Sequence, residues 1–206
     1  MFKISEFPQR TPEWYLERLG KPTASFYDKY ITPTGKASTS ASGINNRLVA
    51  EMIASKADET FQSDAMLRGA ELEDQALAFI NFAHDYNFQK CGLVTSTEFN
   101  YGCSPDGIDL ENEIGLELKS PSLHTHIEYI SEGGLPSQYK AQVQGSMLVT
   151  GFKKWVFMSY YPDLKPLIIT VERDDEYINA MKAILIKNCE LIQEKFKTVS
   201  EFLGSK

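Results

Sequence analysis

Two carboxylates and a lysine lie close together in the sequence YGCSPDGIDLENEIGLELKS, residues 101–120. In the segment IGLELK, apolar residues alternate with Glu117 and Lys119, which is the period-two pattern of a half-buried strand. Glu117 and Lys119 are therefore expected on the same face. Upstream, the Asp-Gly turn dipeptide at Asp106 stands between two short β-prone runs, which predicts an antiparallel pair of strands. Asp106 is then expected beside Glu117.

Two neighbouring carboxylates repel each other without a cation, and one of them would be driven towards protonation. Mg²⁺ fits best, because it accepts one or two carboxylates together with phosphate and water. Zinc would require Cys or His at ligand spacing. The exposed lysine two residues after Glu117 would place a positive charge beside an attacking water or a phosphate. The pattern indicates a metal-dependent nuclease, and the alternative is a hairpin whose charged groups only solvate its outer face.

Helical periodicity selects a further carboxylate. A long helix is predicted from about Asp64 to His84, and its apolar stripe has the i, i+3, i+4 spacing of a helix facing a core. Glu73 falls on this stripe, whereas Glu71 does not. A carboxylate that faces the interior is costly unless it is paired or binds a metal. Glu73 is therefore a candidate ligand, with an ordinary salt-bridged glutamate as the alternative. The stripe comprises Met66, Ala70, Leu77, Ile80 and Ala83.

Length and composition favour one globular domain over residues 1–206, with 42% hydrophobic and 12% aromatic residues. No apolar run approaches the roughly 18 residues of a membrane span, and the N-terminus lacks the apolar core of a signal peptide. A cytoplasmic location without membrane contact is expected. The three cysteines have no CxxC spacing, so neither a disulfide framework nor a zinc site is expected.

The net charge of −7 is unusual for a DNA-binding enzyme, since phosphate contacts usually leave a basic surface. Composition alone favours an acidic enzyme or an interaction protein. Residues 1–56, however, contain eight Lys/Arg and five Asp/Glu. DNA contacts are therefore expected mainly from this N-terminal quarter, with metal ions offsetting the acidic centre.

The remaining segments predict an α/β fold in which helices flank a central mixed sheet. Residues 32–46 are small, polar and rich in Gly and Ser, so a flexible loop is expected there, followed by a helix capped by Asn45 or Asn46. Three or four strands are expected within 90–119. The other predicted helices are Pro12 to about Leu19, a short one after Ser25, 122–132, one after Pro136, and Asp174 to about Phe196; the other strands are 154–160 and 167–172.

Five stretches in one order resemble the phage lambda exonuclease family, the YqaJ-like branch of the PD-(D/E)xK nucleases. They are RLGKPTAS at 18–25, RGAELEDQA at 68–76, SPDG followed by GLELKSP, YKAQVQGSMLVTG at 139–151 and ERDDEY at 172–177. The resemblance implies a restriction-endonuclease-like core and a 5′-to-3′ exonuclease on double-stranded DNA ends, which leaves 3′ tails for phage recombination. The alternatives are an endonuclease or Holliday-junction enzyme on the same core, or a non-catalytic DNA-end-binding or annealing-partner scaffold.

On this basis, Asp106 and Glu117, with the Leu118 carbonyl, are expected to hold one Mg²⁺, and Asp106 and Glu73 to help hold a second. One ion would lower the pKa of a bound water and the other would stabilise the leaving 3′-oxygen. Lys119 and Gln142 would orient that water. Mn²⁺ is expected to substitute for Mg²⁺.

The resemblance also implies a 5′-phosphate pocket at Arg18, Ser25 and Ser104, a homotrimeric ring and a possible single-strand annealing partner. Family members have an arginine six residues after the motif lysine, where this chain has Thr125. His126 is expected to replace part of that charge when it is protonated. Its neighbour His124 is interpreted as a phosphate or structural contact.

Overall fold

The structure is a computed structural model that describes residues 1–57 and 64–204, except for the side chains of residues 64–68 and 70. The predicted α/β class is confirmed. The helices are α1 (Pro12–Arg18), α2 (Ala41–Ala54), α3 (Asp64–His84), α4 (Leu123–Glu132), α5 (Lys140–Thr150) and α6 (Asp175–Gly204), with 3-10 helices at Ala24–Lys29 and Ser137–Tyr139. The strands are β1 (Phe2–Ile4), β2 (Val94–Ser96), β3 (Gly102–Cys103), β4 (Gly107–Asp109), β5 (Ile114–Lys119), β6 (Lys154–Ser159) and β7 (Leu167–Glu172).

The central sheet has the strand order β4-β5-β6-β7, with β5 and β6 parallel and the other pairs antiparallel. Strand β5 was predicted to be half-buried, but all of its residues except Lys119 are buried. It is covered on both faces, because Ala76 and Ile80 of α3 pack on its apolar side, while Gln142 of α5 reaches Glu117 on the other. The acidic and basic groups of β5 are therefore enclosed rather than solvated.

A second, antiparallel sheet with the order β1-β2-β3 holds the N-terminus. Strand β1 pairs with β2, placing Ile4 opposite Val94. Strand β3 is followed by Ser104 and Pro105, and β4 begins at Gly107. The segment that carries Asp106 is consequently fixed by one sheet before it and by the other sheet after it. Within the described part of the chain, no helix has the length and apolar character needed to cross a membrane.

Helix α2 begins at Ala41, so residues 41–46 are helical and the predicted loop is shorter than expected. The prediction that an asparagine caps this helix was wrong. Asn45 is buried inside α2, where its Oδ1 accepts a hydrogen bond from the Tyr30 hydroxyl at 3.1 Å and its Nδ2 donates to Asn188 Oδ1 at 2.7 Å. These buried contacts stabilise a Gly- and Ser-containing turn of helix that local propensity disfavours.

The α3 boundaries were predicted correctly, but its apolar stripe is shifted. Ala76 and Ile80 are fully buried and Leu77 is partly buried, whereas Ala83 is exposed. The stripe positions Met66 and Ala70 lie outside the described side chains. The closing helix α6 is capped by Asp174, whose Oδ1 accepts from the Tyr177 N–H at 3.0 Å, and continues to Gly204, past the predicted end.

Helix α5 lies very close to Tyr27 of the 3-10 helix Ala24–Lys29 at Gly145, three residues after Gln142. A Cβ atom at Gly145 would collide with the ring of Tyr27, and its next neighbour is the sulfur of Met181. At Gly145, α5 therefore packs against the 3-10 helix and α6, while Gln142, one turn earlier, reaches the central sheet at Glu117. Tyr27 cannot easily move, because it is fully buried and its hydroxyl donates to the Gly102 carbonyl at 2.8 Å.

Gly145→Ala is expected to reduce the free energy of unfolding by about 1–3 kcal/mol, since it overpacks a rigid contact. Gly43→Ala is the matched control, because a Cβ atom at Gly43 in α2 meets nothing within 4 Å. That change should be neutral or stabilising by up to about 1 kcal/mol. Urea unfolding followed by circular dichroism measures both values, and equal effects of the two substitutions would contradict the packing described for α5.

Candidate active site

Asp106 lies immediately before β4 and is held against β5 by two hydrogen bonds. Its N–H donates to the Leu116 carbonyl at 3.1 Å, and its Oδ2 accepts from the Leu118 N–H at 2.6 Å. Because the N–H and C=O of one strand residue face the same neighbour, the Leu118 carbonyl also faces this edge. The Asp-Gly dipeptide is not the β4–β5 turn, since that turn includes Glu113 with φ 52°. It links β3 to β4, and Asp106 nevertheless lies beside Glu117 as predicted.

Glu117 and Lys119 lie on the same face of β5, as their spacing predicted. The Lys119 ammonium forms a close ion pair with Glu117 Oε1, and Gln142 Nε2 donates to the same oxygen at 2.5 Å. Glu117 is only 2% exposed. Lys119 was expected to be exposed, but its side chain is 26% exposed and its ammonium lies 5.2 Å from the centroid of the Tyr139 ring. Helix α5 and β5 thus bring together the predicted catalytic groups.

The electrostatics of this centre favour a bound cation. Burial raises the pKa of Asp106, and the charge of Glu117 raises it further. Burial also raises the pKa of Glu117. Although burial lowers the pKa of Lys119, the charges of Glu117 and Asp106 outweigh this effect and raise it. A single lysine charge therefore faces two carboxylates that resist ionisation, and a hard divalent ion would stabilise both as anions.

Glu73 lies on α3 near this centre, and its charge adds to the raised pKa values of Asp106 and Glu117, which are due mainly to burial. Its carboxylate is 12% exposed and forms ion pairs with Arg10 at 2.5 Å and Lys90 at 3.5 Å. Among the side chains that the structure describes, no three acidic, histidine or cysteine groups converge as a ready-made metal cluster. The donor set that fits Mg²⁺ here is thus two carboxylates and a backbone carbonyl, with Glu73 close by.

The residues predicted for the 5′-phosphate pocket also lie together. Arg18, in the last turn of α1, donates to Ser104 Oγ at 3.2 Å and to Thr23 Oγ1 at 2.9 Å. Thr23 Oγ1 lies 3.4 Å from Ser25 Oγ. The Arg18 guanidinium also lies 4.2 Å from the Trp14 ring centroid, and burial lowers the pKa of Arg18 to about 10. A buried guanidinium surrounded by hydroxyl groups is suited to binding an anion.

His126 does not reach this pocket. It is fully buried, its Nδ1 lies 2.8 Å from Ser159 Oγ, and its Nε2 lies 3.4 Å from the Lys165 carbonyl. Both ring nitrogens therefore contact protein atoms, and the geometry gives His126 a structural role instead of the expected phosphate contact. The two preceding residues are less buried than His126. His124 is exposed on α4, and the Thr125 N–H donates to the side chain of the cap residue Ser122 at 3.4 Å.

Several residues of the site were missed by the sequence analysis. Arg10 and Lys90 neutralise Glu73 from segments distant in sequence, and Thr23 joins Arg18 to Ser25. Gln9 Nε2 donates to the carbonyls of Cys91 at 3.0 Å and Pro105 at 2.7 Å, which fixes the residue before Asp106. No local periodicity marks these positions, although Thr23 lies within the segment that resembles the nuclease family.

Beyond Glu73 there is an open cavity of about 620 Å³. Arg10, Lys90 and Glu73 border it, together with Gln9 and the β4–β5 turn residue Glu111. Asp106, Glu117 and Lys119 do not line it. The cavity is therefore adjacent to the candidate centre but separate from the reacting groups.

Comparisons with known proteins agree with the fold. The sequence model of the YqaJ-like viral recombinase domain matches residues 13–153. The fold is similar to an alkaline exonuclease from Laribacter hongkongensis, with 26% identity, a TM-score of 0.85 and coverage of 95% of this chain and 99% of that chain. A complex of that exonuclease with dAMP gives 27% identity, a TM-score of 0.82 and coverage of 95% and 99%.

A phage-related exonuclease from Haemophilus somnus 129PT has the same fold at 15% identity, with a TM-score of 0.69 and coverage of 88% of this chain and 96% of that chain. No curated protein sequence matches the chain. The matched segment, residues 13–153, contains Arg18, Asp106, Glu117 and Gln142. The candidate phosphate pocket and the candidate metal centre both lie inside it.

Proposed function

This chain belongs to the YqaJ-like viral recombinase domain family, and we propose that it is a Mg²⁺-dependent exonuclease on linear double-stranded DNA. It digests the 5′-terminated strand and leaves 3′ single-stranded tails for phage-type recombination. The family and its alkaline exonuclease neighbours support hydrolysis of DNA phosphodiester bonds. The observation that carries the proposal is the enclosed group formed by Asp106, Glu117 and Lys119, where the start of β4 lies beside the end of β5.

The donor set suits Mg²⁺ because Asp106 and Glu117 are buried carboxylates with too little positive charge nearby. These two residues and the Leu118 carbonyl would hold one ion, and Glu73 would help Asp106 hold a second. When bound, the ions would activate a water molecule and stabilise the leaving 3′-oxygen. Mn²⁺, which has similar oxygen preferences, is expected to substitute.

The protein groups around Glu117 have separate roles. Lys119 keeps its proton, because the charges of Glu117 and Asp106 raise its pKa, so it acts as a fixed cation and donor and not as a general base. Gln142 donates its amide N–H to Glu117, and its amide oxygen can accept a hydrogen bond from water. Together, Lys119 and Gln142 orient the attacking water towards the phosphate.

The direction of digestion requires recognition of the strand end, because hydrolysis at Asp106 and Glu117 is the same for either polarity. Arg18, Ser25 and Ser104 supply a guanidinium and two hydroxyls for a terminal 5′-phosphate. Ser104 is only two residues before Asp106. A phosphate bound there would hold the first phosphodiester near the metal ligands, which accounts for digestion from the 5′ end.

The direct test is digestion of matched linear and circular duplexes in Mg²⁺, in Mn²⁺ and in excess chelator. We expect loss of the linear duplex in either metal, persistence of the circle, and no loss of either in chelator. End labels on the linear duplex would give the polarity, since digestion from the 5′ end releases a 5′-terminal label early and retains a 3′-terminal label. Cutting of the circle would instead indicate an endonuclease, and DNA-end binding without digestion in either metal would indicate a non-catalytic scaffold.

A homotrimeric ring is part of the proposal, with a single-strand annealing protein as a possible partner. Encirclement would retain DNA topologically, so that a chain of net charge −7 would need fewer basic contacts. Residues 1–56, with eight Lys/Arg against five Asp/Glu, would supply those contacts. Light scattering is expected to give three times the 23.3 kDa chain mass, and a stable monomer or dimer would overturn the ring.

A further inference from the structure

Arg47 lies on α2 next to the 3-10 helix that carries Ser25. Its guanidinium carbon is 5.2 Å from the centroid of the Phe26 ring, and Phe26 directly follows Ser25. Its Nε donates to Glu51 Oε1 at 3.0 Å, one turn later on α2. The side chain of Arg47 is 27% exposed. Helix α2 thus brings a second guanidinium to the edge of the group formed by Arg18, Thr23 and Ser25.

The charges of Arg47 and Glu51 both act on Arg18. Burial is the main reason for the lowered pKa of Arg18, Glu51 opposes the shift, and the charge of Arg47 adds to it. Solvent and salt screen charges that are far apart. These effects therefore agree with the contact between Arg47 and Phe26, which places this turn of α2 beside the residues around Arg18. The cluster therefore holds the guanidinium groups of Arg18 and Arg47 near the hydroxyls of Thr23 and Ser25.

We propose that Arg47 is the second guanidinium of the 5′-phosphate pocket and that it determines the preference for phosphorylated DNA ends together with Arg18. The inference rests on the proposed 5′-phosphate pocket and adds a residue to it. A terminal phosphate carries up to two negative charges and three acceptor oxygens, which one guanidinium cannot fully satisfy. Ser104 and Arg18 bind it from one side, and Arg47 approaches from the side of Ser25 and Phe26.

A purely structural role for Arg47 makes a different prediction. An Arg–Glu pair one turn apart stabilises a helix whether or not DNA is present, and the stacking on Phe26 would do the same. Loss of Arg47 would then lower stability and reduce digestion of all DNA ends equally. A role in the pocket instead affects phosphorylated ends selectively.

The test compares duplexes that differ only in a 5′-phosphate or a 5′-hydroxyl. Wild type, Arg47→Gln, Arg47→Lys and Arg18→Gln are assayed by single-turnover digestion in Mg²⁺, and by end binding in chelator. We expect the wild type to prefer the phosphorylated end. Arg47→Gln should reduce that preference by about tenfold or more in both assays, as expected for loss of a charge-assisted contact. Arg47→Lys should restore part of it, because lysine keeps the charge but not the planar fork.

Lys195→Gln is the matched control, since Lys195 donates to Asn46, the neighbour of Arg47 on α2, at 2.8 Å. It should retain the full preference. If the wild type prefers phosphorylated ends and Arg47→Gln keeps that preference unchanged, this inference is wrong while the pocket at Arg18 stands. If the wild type itself shows no preference, both the pocket and the role of Arg47 are overturned. Equal loss on both ends assigns Arg47 to helix stability alone.

Discussion

Asp106→Asn is expected to abolish DNA cleavage while leaving the binding of DNA ends intact. The substitution keeps an oxygen that can accept from the Leu118 N–H, which lies 2.6 Å from Asp106 Oδ2. It removes the negative charge that a divalent ion requires. Cleavage should therefore fall below detection in single-turnover assays with Mg²⁺. Binding of the same duplex, measured by fluorescence anisotropy in chelator, should equal that of the wild type at neutral pH, because burial and the charge of Glu117 raise the pKa of Asp106 to about 8 and keep its carboxyl mostly neutral there.

Asp109→Asn is the matched control for this prediction. Asp109 lies three residues later in β4, is 2% exposed, and accepts a hydrogen bond from the Asn112 side chain at 2.8 Å. Its charge is lost in the same way, but it does not contact Leu118 or Glu117. The control should cleave DNA normally below its unfolding temperature. Mg²⁺-dependent cleavage by Asp106→Asn at a rate near that of the wild type would remove Asp106 from the metal centre.

The same substitution also separates a catalytic from a structural role for Asp106. In the metal-free protein, burial and the charge of Glu117 disfavour its ionised form. A neutral asparagine relieves that repulsion, so the melting temperature in chelator should be at least as high as that of the wild type. Added Mg²⁺ should raise the melting temperature of the wild type and have a smaller effect on the variant. A variant that is stable and binds DNA but does not cleave it has lost catalytic activity while keeping its fold.

The sequence predicted the placement of Glu117 and Lys119 on one face of β5, because that placement depends on local periodicity. Alternation in β5 places Glu117 and Lys119 on one face, and a helical stripe selected Glu73 without any family information. Both features are encoded within a few residues. The burial of β5 was underestimated, because the helices that cover its two faces come from segments on either side of it in the chain.

The predictions that failed depended on contacts between distant segments. Helix α2 starts early because Asn45 bonds to Asn188, 143 residues away. His126 was assigned to a phosphate because only its type and position were known, and its burial against Ser159 requires the packing of α4 on the end of β6. Arg10 and Lys90 reach Glu73 for the same reason. Spacing along one strand or helix can be read from the sequence, whereas partners across the fold cannot.

Lys119→Met is expected to slow DNA cleavage by on the order of 10²- to 10⁴-fold. Methionine preserves much of the side-chain volume but removes the ammonium group, which forms a close ion pair with Glu117. The attacking water and the phosphate then lose a fixed positive charge and a hydrogen-bond donor. Lys154→Met is the matched control, since Lys154 begins β6 opposite Ile114, at the other end of β5. Its single-turnover rate should equal that of the wild type.

The Mg²⁺ affinity of Lys119→Met distinguishes between two roles of Lys119 in catalysis. In the wild type, its ammonium competes with a cation for Glu117, so Lys119→Met should bind Mg²⁺ at least as tightly in calorimetric titrations. A slow enzyme with undiminished Mg²⁺ affinity and normal DNA-end binding would place Lys119 at the reacting phosphate or water. If Mg²⁺ affinity instead fell in parallel with the rate, Lys119 would act by holding Glu117 in position for the metal. Lys119→Arg tests the distinction further, because arginine retains the charge but replaces the compact ammonium beside Glu117 and the Tyr139 ring with a larger planar group.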